Sequence, residues 1–245
     1  NKFERFNKLG AKKNEYFLVN KKKFIKNFIN LNTKQSNKKL LLLTNLHLAY
    51  SIANNENINN KKIILLHLHH IFRLKYLADL NYEILYTVRD PKTNLSSFFT
   101  SWSNYRKKII DPWSYYFNMS RVINGINLLK LQRKKIHIFK LEDMHHKNKA
   151  VVKRLTGIMN IRVEKIMFLS TFRKKKWWGD MAMKKYLNGA DINWKNSYDR
   201  NLFFDKDLFF IEKILKKFIK IHRYEFVTFN RKFNFLYLLL PFKME

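Results

Sequence analysis

Four residues near position 90 combine the types and the spacing that phosphate binding requires. Arg89, Asp90 and Pro91 directly follow the apolar segment 83–88, and Ser97 comes eight positions after Arg89. A guanidinium can hold a phosphate through two parallel hydrogen bonds, and Pro91 is expected to end the strand and fix the turn. We expect Ser97 in the first turn of the following helix, where free backbone amides and the helix dipole favour an anion. The pattern predicts a phosphate site made by Arg89 and Ser97.

The same residues allow a purely structural interpretation. Asp90 can cap the helix and form a local ion pair with Arg89, which leaves Ser97 to the solvent. Side-chain chemistry alone leaves both interpretations open.

Strands and helices alternate from about residue 60 and must position this site. Three short, continuously apolar segments are predicted as strands of a parallel sheet covered on both faces: 63–66, 83–88 and 136–139. Hydrophobic periodicity and segment length predict helices over 24–29, 40–53 (a buried helix), 70–80, 94–106, 113–132, 147–159 and 207–223. The first two strands and the helix between them are expected to form a right-handed βαβ unit. We therefore expect one α/β domain over 1–245, in which a basic helical region over 1–59 comes before a parallel sheet with helices on both sides.

The composition selects a class of partner. Lys and Arg total 50 against 18 acidic residues, and a formal charge of +32 attracts nucleic acid, anionic membranes, sulfated sugars or phosphorylated nucleotides. The chain is also rich in residues with A- and T-rich codons, so genomic composition is a second explanation of the lysine excess.

There is no cysteine, which excludes structural disulfides and cysteine-based metal sites. No apolar stretch approaches the roughly 20 residues of a membrane span, and we expect a cytoplasmic location.

Several segments together resemble one enzyme family. An apolar strand followed by Arg89-Asp90-Pro91, with Ser97 at the eighth position after the arginine, resembles the 3′-phosphate motif of the sulfotransferases that use 3′-phosphoadenosine 5′-phosphosulfate (PAPS). Further segments are similar to family elements in the same order, and the resemblance spans about residues 60–225: a strand end with an E-D-L-like element at 139–144, a basic helix at 150–157, a carboxy-terminal loop at 170–180 and a final helix at 207–224.

The resemblance implies a P-loop-nucleotide-kinase-like sheet, PAPS as co-substrate and a hydroxyl-bearing small molecule or glycan as acceptor. It also implies a set of nucleotide-contacting residues: Arg89, Ser97, Arg173, Lys174, Lys175, Lys176, Trp177 and Gly179. Cations beside two indoles suit a nucleotide. An equal alternative is that Trp177 and Trp178 only pin the loop to the core.

A general base is the remaining functional group that the resemblance implies. His67 lies 22 residues before Arg89, about where family members carry a catalytic histidine, and an imidazole can accept the proton of an attacking hydroxyl. His69 and His70 are alternatives, and a buried core histidine remains open. The three histidines lack a neighbouring carboxylate or cysteine, so we expect no metal site.

One family element is missing from the sequence. Sulfotransferases begin with a strand and a P-loop-like segment whose amides hold the 5′-phosphosulfate, and no such segment precedes residue 60. The chain begins at Asn1 without a methionine. We expect an amino-terminally truncated sulfotransferase that is a poor catalyst by itself. The alternative is a basic nucleic-acid-binding or ribosome-associated protein on a degenerate sulfotransferase fold.

Overall fold

Two apolar strands form the parallel pair that positions the site. In the computed structural model, β1 (Ile84–Val88) pairs with β2 (Ile136–Lys140) in parallel, from Ile84 opposite Ile136 to Val88 opposite Lys140. Both strands lie where the sequence predicts them. The structure describes residues 9–16, 20–32, 38–59, 63–68, 71–106, 135–172, 175–178, 188–195, 198 and 200–228.

The rest of the described chain is mainly helical, so the fold is mixed α/β. The α-helices are α1 (Lys21–Leu31), α2 (Lys39–Ala53), α3 (Pro91–Arg106), α4 (Leu141–His146), α5 (Asn148–Met159), α6 (Asp205–Ile214) and α7 (Lys216–Ile221). Short 3₁₀ helices cover Ile71–Leu77, Lys165–Phe168 and Arg200–Leu202, and β3 (Thr171–Phe172) pairs with β4 (Lys175–Lys176) in an antiparallel ladder. None of the helices in these ranges is long and apolar enough to cross a bilayer.

The main core joins the end of β1 to α3, α6 and α7. It is formed by buried apolar side chains of all four elements and the turn before α6: Val88, Leu95, Phe99, Phe203, Leu208, Ile211, Leu215, Phe218 and Ile219. Leu215 joins α6 to α7, and its amide still bonds the Ile211 carbonyl at 2.9 Å. The core therefore holds the carboxyl end of β1, and the residues that follow it, in a fixed place.

The predicted first βαβ unit is wrong. Residues 63–68 have no regular secondary structure, and the side chains of 63–66 are 37–69% exposed. The predicted helix over 70–80 is instead a 3₁₀ helix, Ile71–Leu77. An apolar run becomes a strand only when another strand supplies hydrogen bonds and cover, and β1 finds its parallel partner in β2.

Three other predicted helices differ in how well they agree with the structure. The helix over 40–53 forms as α2 but is only partly buried: Asn45, Ala49, Ser51 and Ala53 are buried, whereas Leu40, Leu41, Leu42 and Leu46 are exposed. The helix over 207–223 is split into α6 and α7, and the helix over 113–132 lies outside the described residues.

Candidate functional site

The carboxyl ends of β1 and β2 lie side by side and are both followed by a helix. Val88 pairs with Lys140, so Arg89 and the start of α4 emerge at the same edge of the sheet. In open α/β sheets this edge is where ligands bind. The predicted position of Arg89, directly after its strand, is confirmed.

The turn after Arg89 is fixed by Asp90. Its carboxylate accepts the Lys92 backbone N–H at 2.9 Å, and its carbonyl accepts the Thr93 hydroxyl at 3.0 Å and the Asn94 amide at 2.8 Å. Pro91 begins α3, where a missing amide hydrogen costs nothing because no carbonyl would receive it. Asp90 is therefore a helix cap, as the structural interpretation predicts, while Arg89 projects elsewhere.

A buried cation anchors this turn to the opposite side of the core. Lys92 is 2% exposed, and its ammonium lies 3.4 Å from the Asp90 carboxylate and 3.6 Å from that of Glu212. It also donates a hydrogen bond to the Glu225 carbonyl at 2.6 Å. Glu212 in turn accepts from the Thr228 amide at 2.8 Å. A buried lysine is tolerated only when it is paired in this way.

Arg89 is half-buried beside an indole. Its guanidinium carbon lies 5.5 Å from the centre of the Trp194 ring, a distance typical of a cation–π contact. Its Nε is buried and has no hydrogen-bond partner among the residues that the structure describes. Burial lowers the pKa of Arg89, and the nearby carboxylates of Glu142 and Asp90 oppose that shift. The group remains a cation, with a free donor directed into a poorly solvated position.

Glu142, in the first turn of α4, connects the two strand ends. One carboxylate oxygen accepts the Asp90 amide at 3.1 Å, and the other accepts the Tyr224 hydroxyl at 3.2 Å. Burial and the adjacent Glu142 raise the pKa of Tyr224, so its hydroxyl stays protonated and donates. The Lys140 ammonium lies 4.7 Å from the centre of the same tyrosine ring.

An imidazole and an indole extend the site beyond Arg89. The rings of His145 and Trp194 stack, with centroids 4.8 Å apart and planes 11° from parallel. The Asp191 amide donates to His145 Nδ1 at 3.1 Å, so the proton of the neutral ring is on Nε2. Burial lowers the pKa of His145; the Asp191 carboxylate opposes this shift, and the charges of His146 and Arg89 add to it. His145 is therefore neutral near pH 7.

The loop that carries Trp194 is fixed at Gly189. The Gly189 amide donates to Ser170 Oγ at 2.9 Å, and its φ of +90° is one that residues with a Cβ rarely adopt. A Cβ there would collide with the Phe168 carbonyl. Ser170 therefore positions the segment that places Trp194 against Arg89.

A small cavity opens beside Arg89. It has a volume of about 60 Å³ and is lined by Tyr86, Arg89, Asn94, Leu95, Leu215 and Phe218, among others. Pockets that enclose a whole drug-sized ligand are about 300 Å³ or more. The cavity fits a group of a few heavy atoms, so a larger ligand would lie mostly outside it.

Ser97 does not lie where the sequence suggests. Because α3 begins at Pro91, Ser97 falls in the second turn of the helix and is half-buried. The amides of a second turn already bond carbonyls one turn back. The prediction that Ser97 lies beside free first-turn amides is therefore wrong. Its side chain still belongs to the helix that begins beside Arg89.

The histidine segment is described only in part. His67 is exposed, in the irregular stretch 63–68 that replaces the predicted strand. His69 and His70 lie outside the described residues. The role of His67 as a base stays a prediction. The strand that the sequence predicts to position His67 does not form.

The carboxy-terminal basic loop packs on residues 9–15, where Leu9 and Glu15 form an antiparallel bridge. Lys175 forms an ion pair with Glu15, and the Lys176 ammonium lies 3.7 Å from the centre of the Trp178 ring. The Trp178 indole donates to the Gly10 carbonyl at 2.6 Å.

The backbone of this loop is held in the same way. The Trp177 amide bonds the Ser170 carbonyl at 2.9 Å, so Trp177 and Trp178 both hold the loop in place. Arg173, Lys174 and Gly179 lie outside the described residues.

Sequence reasoning assigned no role to four residues that surround Arg89: Glu142, His145, Trp194 and Tyr224. Glu142 had a usable signal, because an acidic residue directly after a parallel strand lies at the ligand-binding edge. Trp194 had none, since it follows β1 by over a hundred positions in a segment without periodicity.

Comparisons with known proteins leave the site to be interpreted from its geometry. No family model matches the chain, and searches of curated proteins and of solved structures found no match either. Within the described ranges there is no group of three or more histidine or acidic side chains suited to a metal ion.

Proposed function

We propose that this chain is a sulfotransferase-like domain that binds PAPS and its product adenosine 3′,5′-bisphosphate, on an α/β sheet of the P-loop-nucleotide-kinase type. The observation that carries the proposal is Arg89: a half-buried guanidinium directly after a parallel strand, whose buried Nε has no hydrogen-bond partner within the described part of the chain. Because Nε itself is buried, a phosphate dianion in the adjoining cavity would accept hydrogen bonds from the other N–H groups of the guanidinium, and hydrogen bonds to charged groups contribute about 1.5–3 kcal/mol.

The size of the adjoining cavity supports a phosphate as the group that enters it. At about 60 Å³ the cavity accommodates a small anion but not a nucleoside. The nucleoside would lie along the surface outside, toward the stacked rings of Trp194 and His145. Both residues are half-buried, and aromatic rings of this kind suit a purine, which gains from stacking on them.

The proposed reaction transfers a sulfuryl group to an acceptor hydroxyl. The acceptor oxygen attacks sulfur, the bond from sulfur to the bridging phosphate oxygen breaks, and adenosine 3′,5′-bisphosphate leaves with the bonding electron pair. The hydroxyl proton passes to a base, for which His67 remains the candidate. Arg89 would act on the 3′-phosphate, away from the reacting sulfur, and would therefore orient the donor.

Binding of adenosine 3′,5′-bisphosphate tests the proposal directly. Calorimetric titrations at about 50 and about 200 mM salt, with the chain and its Arg89→Ala variant, separate a specific site from attraction to any polyanion. We expect Arg89→Ala to weaken binding at least tenfold at both salt concentrations. Equal binding by the two proteins, with a steep loss at the higher salt, would instead favour the alternative of a general nucleic-acid-binding protein.

A further inference from the structure

The amino-terminal helices α1 and α2 form an antiparallel pair with an unusual surface. The Lys23 ammonium, near the start of α1, donates to Asn55 just beyond α2 at 2.6 Å. At the other end, the Asn45 side chain of α2 donates to the Leu31 carbonyl and to Asn32, both at 3.0 Å. These contacts fix the pair and leave its outer surface to the solvent.

That surface exposes apolar side chains. Six of them are 39–58% exposed: Ile25, Ile29, Leu40, Leu41, Leu42 and Leu46. Ile25 and Ile29 lie one turn apart on α1, as do Leu42 and Leu46 on α2, so each helix presents a short apolar ridge. Ridges of exposed apolar side chains on two adjacent helices are the kind of feature that interaction surfaces show.

The charge of the same region is of one sign. Residues 16–55 contain seven lysines and neither aspartate nor glutamate. On α1, Lys22 and Lys26 are exposed and alternate with Ile25 and Ile29 along the same face of the helix. A partner for this face must therefore accept apolar side chains and carry negative charge next to them.

We propose that the α1–α2 pair docks on an anionic lipid bilayer, with the ridges of Ile25 and Ile29 on α1 and of Leu42 and Leu46 on α2 inserted among the acyl chains and the lysines at the headgroups. A bilayer with acidic headgroups offers both chemistries within a few ångströms over its whole surface, whereas a nucleic acid offers no apolar layer for inserted side chains. Basic amphipathic helices bind such surfaces through the sum of apolar insertion and electrostatic attraction. The inference is independent of the proposed sulfuryl transfer, because it involves neither Arg89 nor the sheet edge.

Vesicle flotation tests this docking. The probes are phosphatidylcholine vesicles with and without phosphatidylserine, at about 50 and about 200 mM salt. We expect binding to the phosphatidylserine vesicles, weaker at the higher salt because exposed charges are screened. The pair Lys22→Gln and Lys26→Gln should weaken it at least tenfold, at about fivefold per lysine. The pair Ile25→Ser and Ile29→Ser should weaken it by at least tenfold as well.

Matched controls separate this surface from the general basic charge. Ile214 and Ile221 are 53% and 56% exposed on α6 and α7, and Lys217 and Lys220 are exposed there too. The same substitutions at these four positions should leave vesicle binding within twofold of the parent chain. Equal losses from both regions, unchanged binding by the Ile25 and Ile29 variant, or no vesicle binding at all would each overturn the proposal. A dimer that the Ile25 and Ile29 substitutions dissociate in light scattering would assign the surface to a second copy instead.

Discussion

Glu142 Oε1 accepts the backbone N–H of Asp90 at 3.1 Å, which links the start of α4 to the residue directly after Arg89. The contact places a carboxylate beside the guanidinium, where it partly neutralises the Arg89 charge. The Glu142 carboxylate therefore competes with any anion that binds to Arg89. Removal of that charge should affect ligand affinity in a predictable direction.

Glu142→Gln should tighten the binding of adenosine 3′,5′-bisphosphate. Glutamine keeps an acceptor for the Asp90 amide and can donate its amide hydrogen to the Tyr224 oxygen, so the geometry survives while the charge is lost. A unit charge at about 8 Å contributes about 0.5 kcal/mol even in a water-like dielectric, so we expect at least about twofold tighter binding. Isothermal titration calorimetry measures this.

Glu83→Gln is the control for this prediction. Glu83 is an exposed carboxylate at the opposite end of β1, where it contacts His137. Its removal changes the net charge by the same amount but far from the proposed site. Equal tightening in both variants would mean that net charge alone determines the affinity.

Lys92→Met should unfold the chain at a much lower urea concentration. The substitution leaves the buried carboxylates of Asp90 and Glu212 without their shared cation. Loss of one partner from a buried ion pair costs about 3–5 kcal/mol of unfolding free energy. The exposed Lys217→Met should change it by less than about 0.5 kcal/mol. A loss below about 1 kcal/mol for Lys92→Met would contradict the described network.

Acidification should loosen the contact between His145 and the segment that carries Trp194. Burial holds the pKa of His145 below the ordinary 6.5, so the unfolded chain binds this proton more readily than the folded one. Stability from this residue is full above about pH 6.5 and is lost as pH falls through the folded-state value. Protonation also removes the Nδ1 acceptor of the Asp191 amide.

His145→Asn checks the pH prediction, because its side-chain oxygen can replace the Nδ1 acceptor without titrating. The imidazole resonance that disappears in this variant should titrate below 6.5 in an NMR pH series. The decline in melting temperature between pH 7 and pH 5 should also be smaller in the variant. A resonance that titrates at or above 6.5 would contradict the assigned environment.

Local sequence patterns predicted the strands at the site and the position of Arg89. Apolar runs of strand length marked β1 and β2, and Pro91 marked the turn. The same pattern failed at 63–66, because whether an apolar run becomes a strand depends on a distant partner that periodicity does not reveal. The sequence pattern predicts the start of α3 three residues late, because it indicates Pro91 as the end of a strand and not as the first residue of a helix.

Other features depend on tertiary contacts alone. Lysine is almost always exposed, so no sequence rule predicts the burial of Lys92 between two carboxylates. The approach of Trp194 to Arg89 depends on the anchoring of Gly189 at Ser170, a contact between segments nineteen residues apart. Both features follow from packing that the linear sequence does not display.

The contact between Arg89 and a 3′-phosphate is tested most directly by a two-ligand cycle. Adenosine 3′,5′-bisphosphate and adenosine 5′-monophosphate are each titrated into the parent chain, Arg89→Ala and the exposed-arginine control Arg162→Ala. The account predicts that the 3′-phosphate tightens binding at least tenfold in the parent and in Arg162→Ala. It also predicts that this gain disappears in Arg89→Ala. A 3′-phosphate gain that is the same in all three proteins would contradict it.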